Sequence, residues 1–264
     1  MSLPACLWGR RKSVNEYTGL AARYDALTQD VDYAAWLDWY RSQFAASGQP
    51  VETVLDLACG TGTLTCLLAR AGYRVTGADA SADMLTQAMD KAQELGLEPP
   101  PLLICQPMEA LELPEPVDAC VCSLDSLNYI TGRENLERAL CAVSRALRPG
   151  GLFLFDVIPP EEFARRDGQV YVDEDEETLC LWRADYDAAS GRMTYGLDLF
   201  CRQPDGRWSR EQEEHCERAW PLELLRALLE ECGFTGMRVY GADRSAPPAE
   251  ADERVFFVCR RAPA

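Results

Sequence analysis

The segment Val54-Leu55-Asp56-Leu57-Ala58-Cys59-Gly60-Thr61-Gly62-Thr63 runs from an apolar stretch through two glycines into a helical pattern. A strand, a glycine turn and a helix start make a cradle for a nucleotide-type ligand. Gly60 and Gly62 omit side chains where the backbone turns tightly and a ligand comes close. Two features set this turn apart from one that holds pyrophosphate: Thr65 stands where the GxGxxG pattern has its third glycine, and a carboxylate, Asp56, precedes the glycines. Helix N-termini and glycine turns attract phosphate through positive dipoles, and a nearby carboxylate opposes that attraction. A ribose-bearing ligand without phosphate, carrying an ammonium or sulfonium charge, matches better. Asp79, 17 residues after Gly62, ends the next apolar run, where an acid can accept hydrogen bonds from both ribose hydroxyls. A helix cap is its other reading, although Ser81 can cap that helix itself.

Further polar and aromatic groups are placed where they could meet an acceptor. His215 is the only histidine in the chain and shares one face of its strand with Glu213 and Glu217 by alternation. It reads either as a solvated strand residue or as part of a substrate site. Asp125 and Asn128 follow the fourth strand, at the end of an open α/β sheet where ligands bind, with a turn cap as the competing reading and Tyr129 beside them. The amino-terminal Tyr17, Tyr24, Tyr33 and Trp36 either pack a helix or close over a cationic ligand, with hydroxyls reaching its carboxylate and rings near its charge.

The elements that position these groups alternate short apolar runs with helical patterns over 51–157, the signature of a doubly wound α/β sheet. Strands are predicted at 53–58, 74–78, 102–105, 118–122 and 152–157. Helices are predicted at about 64–71, from the Ser81 cap to Gly96, and over 135–147. The pattern then changes. Three long alternating stretches, 178–187, 192–202 and 208–219, are joined by Ala188-Ala189-Ser190-Gly191 and Pro204-Asp205-Gly206, predicting consecutive hairpins with one buried face. A helix from Pro221 to Glu231 and strands at 237–240 and 255–259 close the main sheet. The chain thus divides into an amino-terminal helical cap over 1–50, a Rossmann-like domain over 51–168 and 220–264, and an antiparallel β insertion over 169–219. The acidic run Asp173 to Glu177 and the stretch 246–252 read as exposed loops.

With 264 residues, 47% of them hydrophobic and 9% aromatic, the chain can build a sizeable core. Its 26 Lys and Arg against 43 Asp and Glu give a formal charge of −17, which argues against nucleic acid and anionic membranes as partners. The 12 cysteines, among them Cys105, Cys120, Cys122, Cys141 and Cys259 in apolar runs, form no CxxC pair and no metal spacing with His215. They are expected to be buried reduced thiols in a cytoplasmic protein. No apolar run reaches the roughly 18 to 20 residues of a membrane helix, and Arg10, Arg11 and Lys12 are followed by polar residues instead of a signal core.

The glycine motif Asp56 to Gly62, the spaced acid Asp79 and the strand Asp118 to Ser123 resemble class I S-adenosylmethionine-dependent methyltransferases over roughly 17–262. More narrowly, Tyr24-Asp25-Ala26-Leu27-Thr28, Asp32 to Trp36, Ser123 to Tyr129 and Glu213-Glu214-His215 are similar to a bacterial small-molecule branch related to glycine and sugar N-methyltransferases. The resemblance implies a seven-stranded sheet with the last strand antiparallel and a β-sheet lid over the active site. It implies S-adenosyl-L-methionine as cofactor and S-adenosyl-L-homocysteine as product, and no metal. Ala58, Gly60 and Gly62 would line the methionine part, near Asp56. Asp79 would take the ribose, Ala80 and Met84 would flank the adenine, and Met108 would meet its other edge. Leu124 would offer a carbonyl to the cofactor ammonium, while Tyr24, Tyr33 and Trp36 would cover it. One departure stands out: relatives often carry an Asp at Pro107, whose contact with the adenine amino group is then missing or supplied by Gln106 or Glu109.

Methyl transfer is an in-line displacement at a carbon activated by positive sulfur, so the protein mainly aligns the reactants and excludes water. One base suffices to deliver a neutral amine or an ionised hydroxyl, and His215, Asp125 and Tyr33 are its candidates. The expected reaction is methylation of a small acceptor, an amine foremost, with the oligomeric state left open. The alternatives are a cofactor-binding sensor that has lost the chemistry and a nicotinamide oxidoreductase, against which the missing third glycine and Asp56 both argue.

Overall fold

The computed structural model describes residues 24–28, 30–174 and 176–263, so Tyr17 and Asp175 lie outside the described residues. The first half of the chain gives helices α1 (Tyr24–Leu27) and α2 (Tyr33–Ala46), strand β1 (Thr53–Leu57), α3 (Thr63–Arg70), β2 (Arg74–Asp79), α4 (Ala82–Glu94), β3 (Leu102–Cys105), β4 (Val117–Cys122) and α5 (Arg133–Ala146). It continues through β5 (Leu147–Val157), α6 (Pro160–Arg166), β6 (Val170–Glu174), β7 (Thr178–Asp187), β8 (Arg192–Arg202) and β9 (Trp208–Arg218). The chain closes with α7 (Leu222–Glu231), β10 (Phe234–Tyr240) and β11 (Val255–Arg261).

Strand β1 is buried on both faces, which suits the middle of a parallel sheet. Val54 points to a cluster with Trp36, Tyr40 and Phe44 of α2 and Leu64 and Leu68 of α3. Leu55 and Leu57 point the other way, to Leu136, Leu140 and Val143 of α5 and Leu225 and Leu228 of α7. The result is a three-layer sandwich around a seven-stranded sheet of order β10-β11-β5-β4-β1-β2-β3. The last strand, β11, is antiparallel to both neighbours, as expected. Strand order reverses between β1 and β4, and that reversal opens a crevice at the carboxyl ends of the two strands.

The remaining strands form a separate antiparallel sheet, β6-β7-β8-β9. Its buried face carries Cys180, Ala184, Met193, Tyr195, Leu197 and Leu199 against Ile158, Phe163 of α6 and Tyr24. Three hairpin strands match the alternation read from sequence. The fourth, β6, corrects the expectation of a loop, because Asp173 and Glu174 belong to this exposed edge strand. Helix α6 was also unforeseen, although Pro160 at its first turn, Glu161 and Glu162 next to it and Arg165 and Arg166 at its end are start and stop signals.

The cysteine expectation needs correction as well. Cys141 of α5 and Cys232 at the end of α7 form a disulfide across 91 residues, a pairing that no local spacing announces. Cys105 is exposed because β3 is the edge strand, and Cys59 and Cys216 are half-buried, whereas Cys120, Cys122 and Cys259 are buried thiols. No helix among the described residues is long and apolar enough to cross a membrane.

The small sheet is fastened to the large one where the chain leaves and re-enters. Asn128, fully buried, donates from Nδ2 to the carbonyls of Ile158 (3.2 Å) and Arg218 (2.9 Å), and its Oδ1 accepts from Ile158 N–H (3.1 Å). Trp220 Nε1 donates to the Ile130 carbonyl at 3.0 Å and Arg218 to that of Thr131 at 2.9 Å. Asn128 is thus a suture between the two sheets. Asn128→Ala strands three buried backbone groups and is expected to lower unfolding free energy by about 2 to 4 kcal/mol, read from urea denaturation.

Candidate active site

The turn after β1 is made of left-handed backbone. Ala58 (φ 56°), Gly60 (φ 53°) and Gly62 (φ 74°) all lie in that region, which reverses the chain into α3 within a few residues. The two glycines serve different needs. A Cβ on Gly60 would meet nothing within 4 Å, so the missing side chain leaves room in the crevice. A Cβ on Gly62 would stand 2.7 Å from the Cβ of Ala88 on α4, so this glycine lets two helices touch. Helix packing therefore accounts for the missing side chain at Gly62.

Asp79 braces the turn from the end of β2. Its Oδ2 accepts from Gly60 N–H (2.9 Å) and its Oδ1 from Ser81 N–H (2.8 Å), while Ser81 Oγ caps α4 at Met84 N–H (3.3 Å). Burial nonetheless holds its carboxyl above the ordinary value, with the three backbone donors pulling the other way. Asp56 sits deeper, 2% exposed, and accepts from Thr65 Oγ1 at 2.5 Å. Loss of hydration pushes it up to about 7, and the Asp79 charge adds to the rise.

Asp56 and the glycine turn form one wall of a cleft. Asp56, Ala58, Cys59, Gly60, Thr61, Thr63 and Leu64 line that side; Ser123, Leu124 and Ser126, beyond β4, line the facing side; Tyr24 and Tyr33 close a third. Leu124 (φ 58°) and Asp125 (φ 51°) are also left-handed, which turns the chain across the cleft mouth. Asp125 does not cap the short 3-10 turn that follows it. Its Oδ1 pairs with Arg254 at 2.7 Å, its N–H donates to Asp156 Oδ2 at 2.8 Å, and Arg254 also holds Asp156. Arg254, just before β11, is the site component that sequence reasoning missed; nothing in its local pattern marks it.

The other anticipated residues fall in several places. Ala80 is exposed beside Asp79, and Met108 packs partly buried against the core from a short 3-10 turn. Met84 is buried at 2% exposure in the first turn of α4. Trp36 does not line the cleft: its ring packs against Phe256 at 5.3 Å, under the Arg244 guanidinium, because α2 is amphipathic and needs that face for the sheet. Near Pro107, Gln106 Oε1 already accepts from Glu112 N–H at 2.9 Å. Tyr33 is half-buried, and its hydroxyl is held above its ordinary value by burial, against a hydrogen bond from Thr28.

The small sheet turns an acidic and aromatic face to this region. His215 is fully buried, contrary to the solvated reading, with Nε2 3.1 Å from Glu213 Oε2. The rings of Tyr129 and Trp182 each lie 6.1 Å from its own. Two residues on, Glu217 is buried beside Tyr129 and Tyr195, and desolvation and the Asp125 charge hold its carboxyl well above the ordinary value. Alternation had placed all three on one face; it could not tell that the face was inward.

A sulfonium-bearing nucleoside fits this crevice. Among the described residues no lysine or arginine lines the cleft, whereas Asp56 does, and Asp79 sits just behind it on the Gly60 amide, an acidic surrounding that suits a cation better than a phosphate. Comparison with known proteins agrees. The family model described as a methyltransferase domain matches residues 54–151. The Bacillus subtilis (strain 168) protein named "Putative methyltransferase YqeM" is 30% identical over 247 residues, 93% of this chain and 97% of its own. An S-adenosylmethionine-dependent methyltransferase from Clostridium acetobutylicum superposes with a TM-score of 0.84 at 28% identity, covering 94% of this chain and 100% of its own. The chain belongs to the S-adenosylmethionine-dependent methyltransferases. The sugar N-methyltransferase KedS8 from Streptoalloteichus sp ATCC 53650 shares the fold, with a TM-score of 0.75, 21% identity and 99% of each chain covered. S-adenosylmethionine is therefore the cofactor, and the oxidoreductase alternative is set aside.

Two outcomes follow for this methyltransferase. Gly62→Ala should cost about 2 to 4 kcal/mol of stability, from the left-handed backbone and the overlap with Ala88, whereas Gly60→Ala should cost about 1 kcal/mol and mainly weaken cofactor binding. Urea melts with and without S-adenosylhomocysteine separate the two. For Asp56 the folded state keeps a proton that the unfolded chain releases. Its contribution to stability is therefore present below about pH 4, the unfolded range, and is lost as pH rises through about 7. Asp56→Asn is expected to flatten that part of the stability profile of the free protein.

Proposed function

We propose that this enzyme methylates a small amine held between the cleft and the inner face of the small sheet, which serves as its lid. The supporting observation is the buried His215–Glu213 pair, walled by Tyr129 and Trp182, on strand β9, whose end is bonded through Arg218 to Asn128 in the segment after β4. S-adenosylmethionine supplies a methyl carbon made electrophilic by its sulfonium. The residues of the chain do the rest by holding, orienting and drying the reactants. In this reading Ala58 and Gly60 receive the methionine end by backbone contact and Asp79 takes the ribose. Ala80 and Met108 meet the adenine, and the Leu124 carbonyl faces the ammonium. Tyr24 and Tyr33 exclude water above.

An alkylammonium has no lone pair to offer, so its proton must leave before attack. His215 takes it at a ring nitrogen while Glu213 stabilises the resulting imidazolium. Asp125, neutralised by Arg254, orients the turn that carries Leu124 and Ser126. Aromatic rings and acids around the acceptor favour an amine over an anionic substrate.

Methyl-labelled cofactor incubated with panels of primary amines, alcohols and carbon acids tests this reading. An amine should yield S-adenosylhomocysteine and labelled product. His215→Asn should lower kcat by about 100-fold or more with cofactor affinity unchanged. Turnover confined to hydroxyl or carbon acceptors would sink the amine assignment.

A further inference from the structure

Helix α1 is a single turn, too short to hold a position by its own hydrogen bonds. What places it is side-chain chemistry. Tyr24 points into both the cofactor cleft and the apolar cluster under the lid. Its neighbour Asp25 reaches the other way, to the glycine turn. Asp25 Oδ1 accepts from Thr61 Oγ1 at 2.6 Å, and Oδ2 pairs with Lys91 Nζ at 2.7 Å. Lys91, on α4, also donates to Thr63 Oγ1 at 2.5 Å and lies 3.3 Å from Thr61 Oγ1. One ammonium thus joins the amino-terminal segment to the glycine turn and to the first residue of α3.

Neither charge lines the cleft, and the lysine is 20% exposed on its side chain. The network spans the seam between Tyr24 and Thr61, two residues that do line it. We propose that Lys91 and Asp25 are positioning residues that clasp the Tyr24 segment over the cofactor, so that S-adenosylmethionine enters and S-adenosylhomocysteine leaves only when the clasp opens. This rests on the reading of Tyr24 and Tyr33 as the cover of that cleft.

In this proposal the same network closes the seam both before and after cofactor binds. Entry and exit both pass through the open form, so loosening the clasp raises its population before binding and after it by the same factor. The association and dissociation rates then rise together, and their ratio moves little. A residue that merely supports the fold behaves otherwise: its loss lowers melting temperature or weakens binding, and does not speed association.

Stopped-flow binding of S-adenosylhomocysteine to the full chain, in Lys91→Met, Asp25→Asn and the double variant, decides the matter. Each single change should raise both rates about threefold to tenfold, the range for a partly exposed, hydrogen-bonded ion pair, with Kd changing less than the rates. The double variant should behave like the stronger single one, because both changes break the same link. Unchanged rates, additive effects, or faster dissociation with slower association would each overturn the clasp. Failure of the unaltered chain to bind S-adenosylhomocysteine would instead remove the cofactor reading on which the clasp depends.

Discussion

The site depends on one backbone constraint: two adjacent strands, β1 and β4, must turn away from each other at the same end of the sheet. Both do so through left-handed residues. Ala58, Leu124 and Asp125 are three of the four non-glycine residues with positive φ among those described. Each such residue costs about 1 to 3 kcal/mol, and such strain persists only where the surroundings fix it. Here the fixing is visible. Asp79 holds the Gly60 amide from the β2 side, and Asp156 with Arg254 holds Asp125 from the β5 side. The crevice is therefore clamped open from both flanks by carboxylates that are not themselves at its centre.

That clamp explains why acids gather in a region with little water. Asp56, Asp156 and Glu217 are buried, and desolvation raises all three. Only Asp156 has an arginine in direct contact; Asp56 has a hydroxyl, and Glu217 has a tyrosine hydrogen bond with arginine charges farther off. Of the three, only Asp56 lines the cleft that a cationic cofactor would enter. Most of the −17 is unrelated to this and lies on solvated surface. The negative balance matters to function only through the few carboxylates that the sheet end brings inside.

Period and spacing made the sheet, the insertion and the glycine turn legible, because these are local: a strand alternates within five residues and a hairpin shows its turn. The place of Asp79 at a strand end was legible for the same reason, one helix and one strand beyond Gly62. What stayed hidden joins distant segments. Arg254 meets Asp125 across 129 positions, Cys232 meets Cys141 across 91, and Lys91 meets Asp25 across 66. At Gly62 only the packing of α4 shows that Ala88 occupies the space a side chain would need. His215 was put on the correct strand face, but whether that face is wet or buried is decided by how the second sheet docks.

Docking is itself a matter of a few bonds. Asn128, Arg218 and Trp220 tie the lid root to the segment after β4, the same segment whose first residues form the cleft wall. The end of β9, three residues beyond His215, is therefore hydrogen-bonded to the same segment that carries Leu124 and Ser126. Tyr24 closes the remaining side by touching the cleft and the lid cluster together. Displacing this one side chain would therefore open the cleft and unpack the cluster under the small sheet together. Enclosure of the cofactor cleft and packing of the small sheet are consequently coupled through Tyr24, so water is kept from the cleft under the same condition that seats the second sheet.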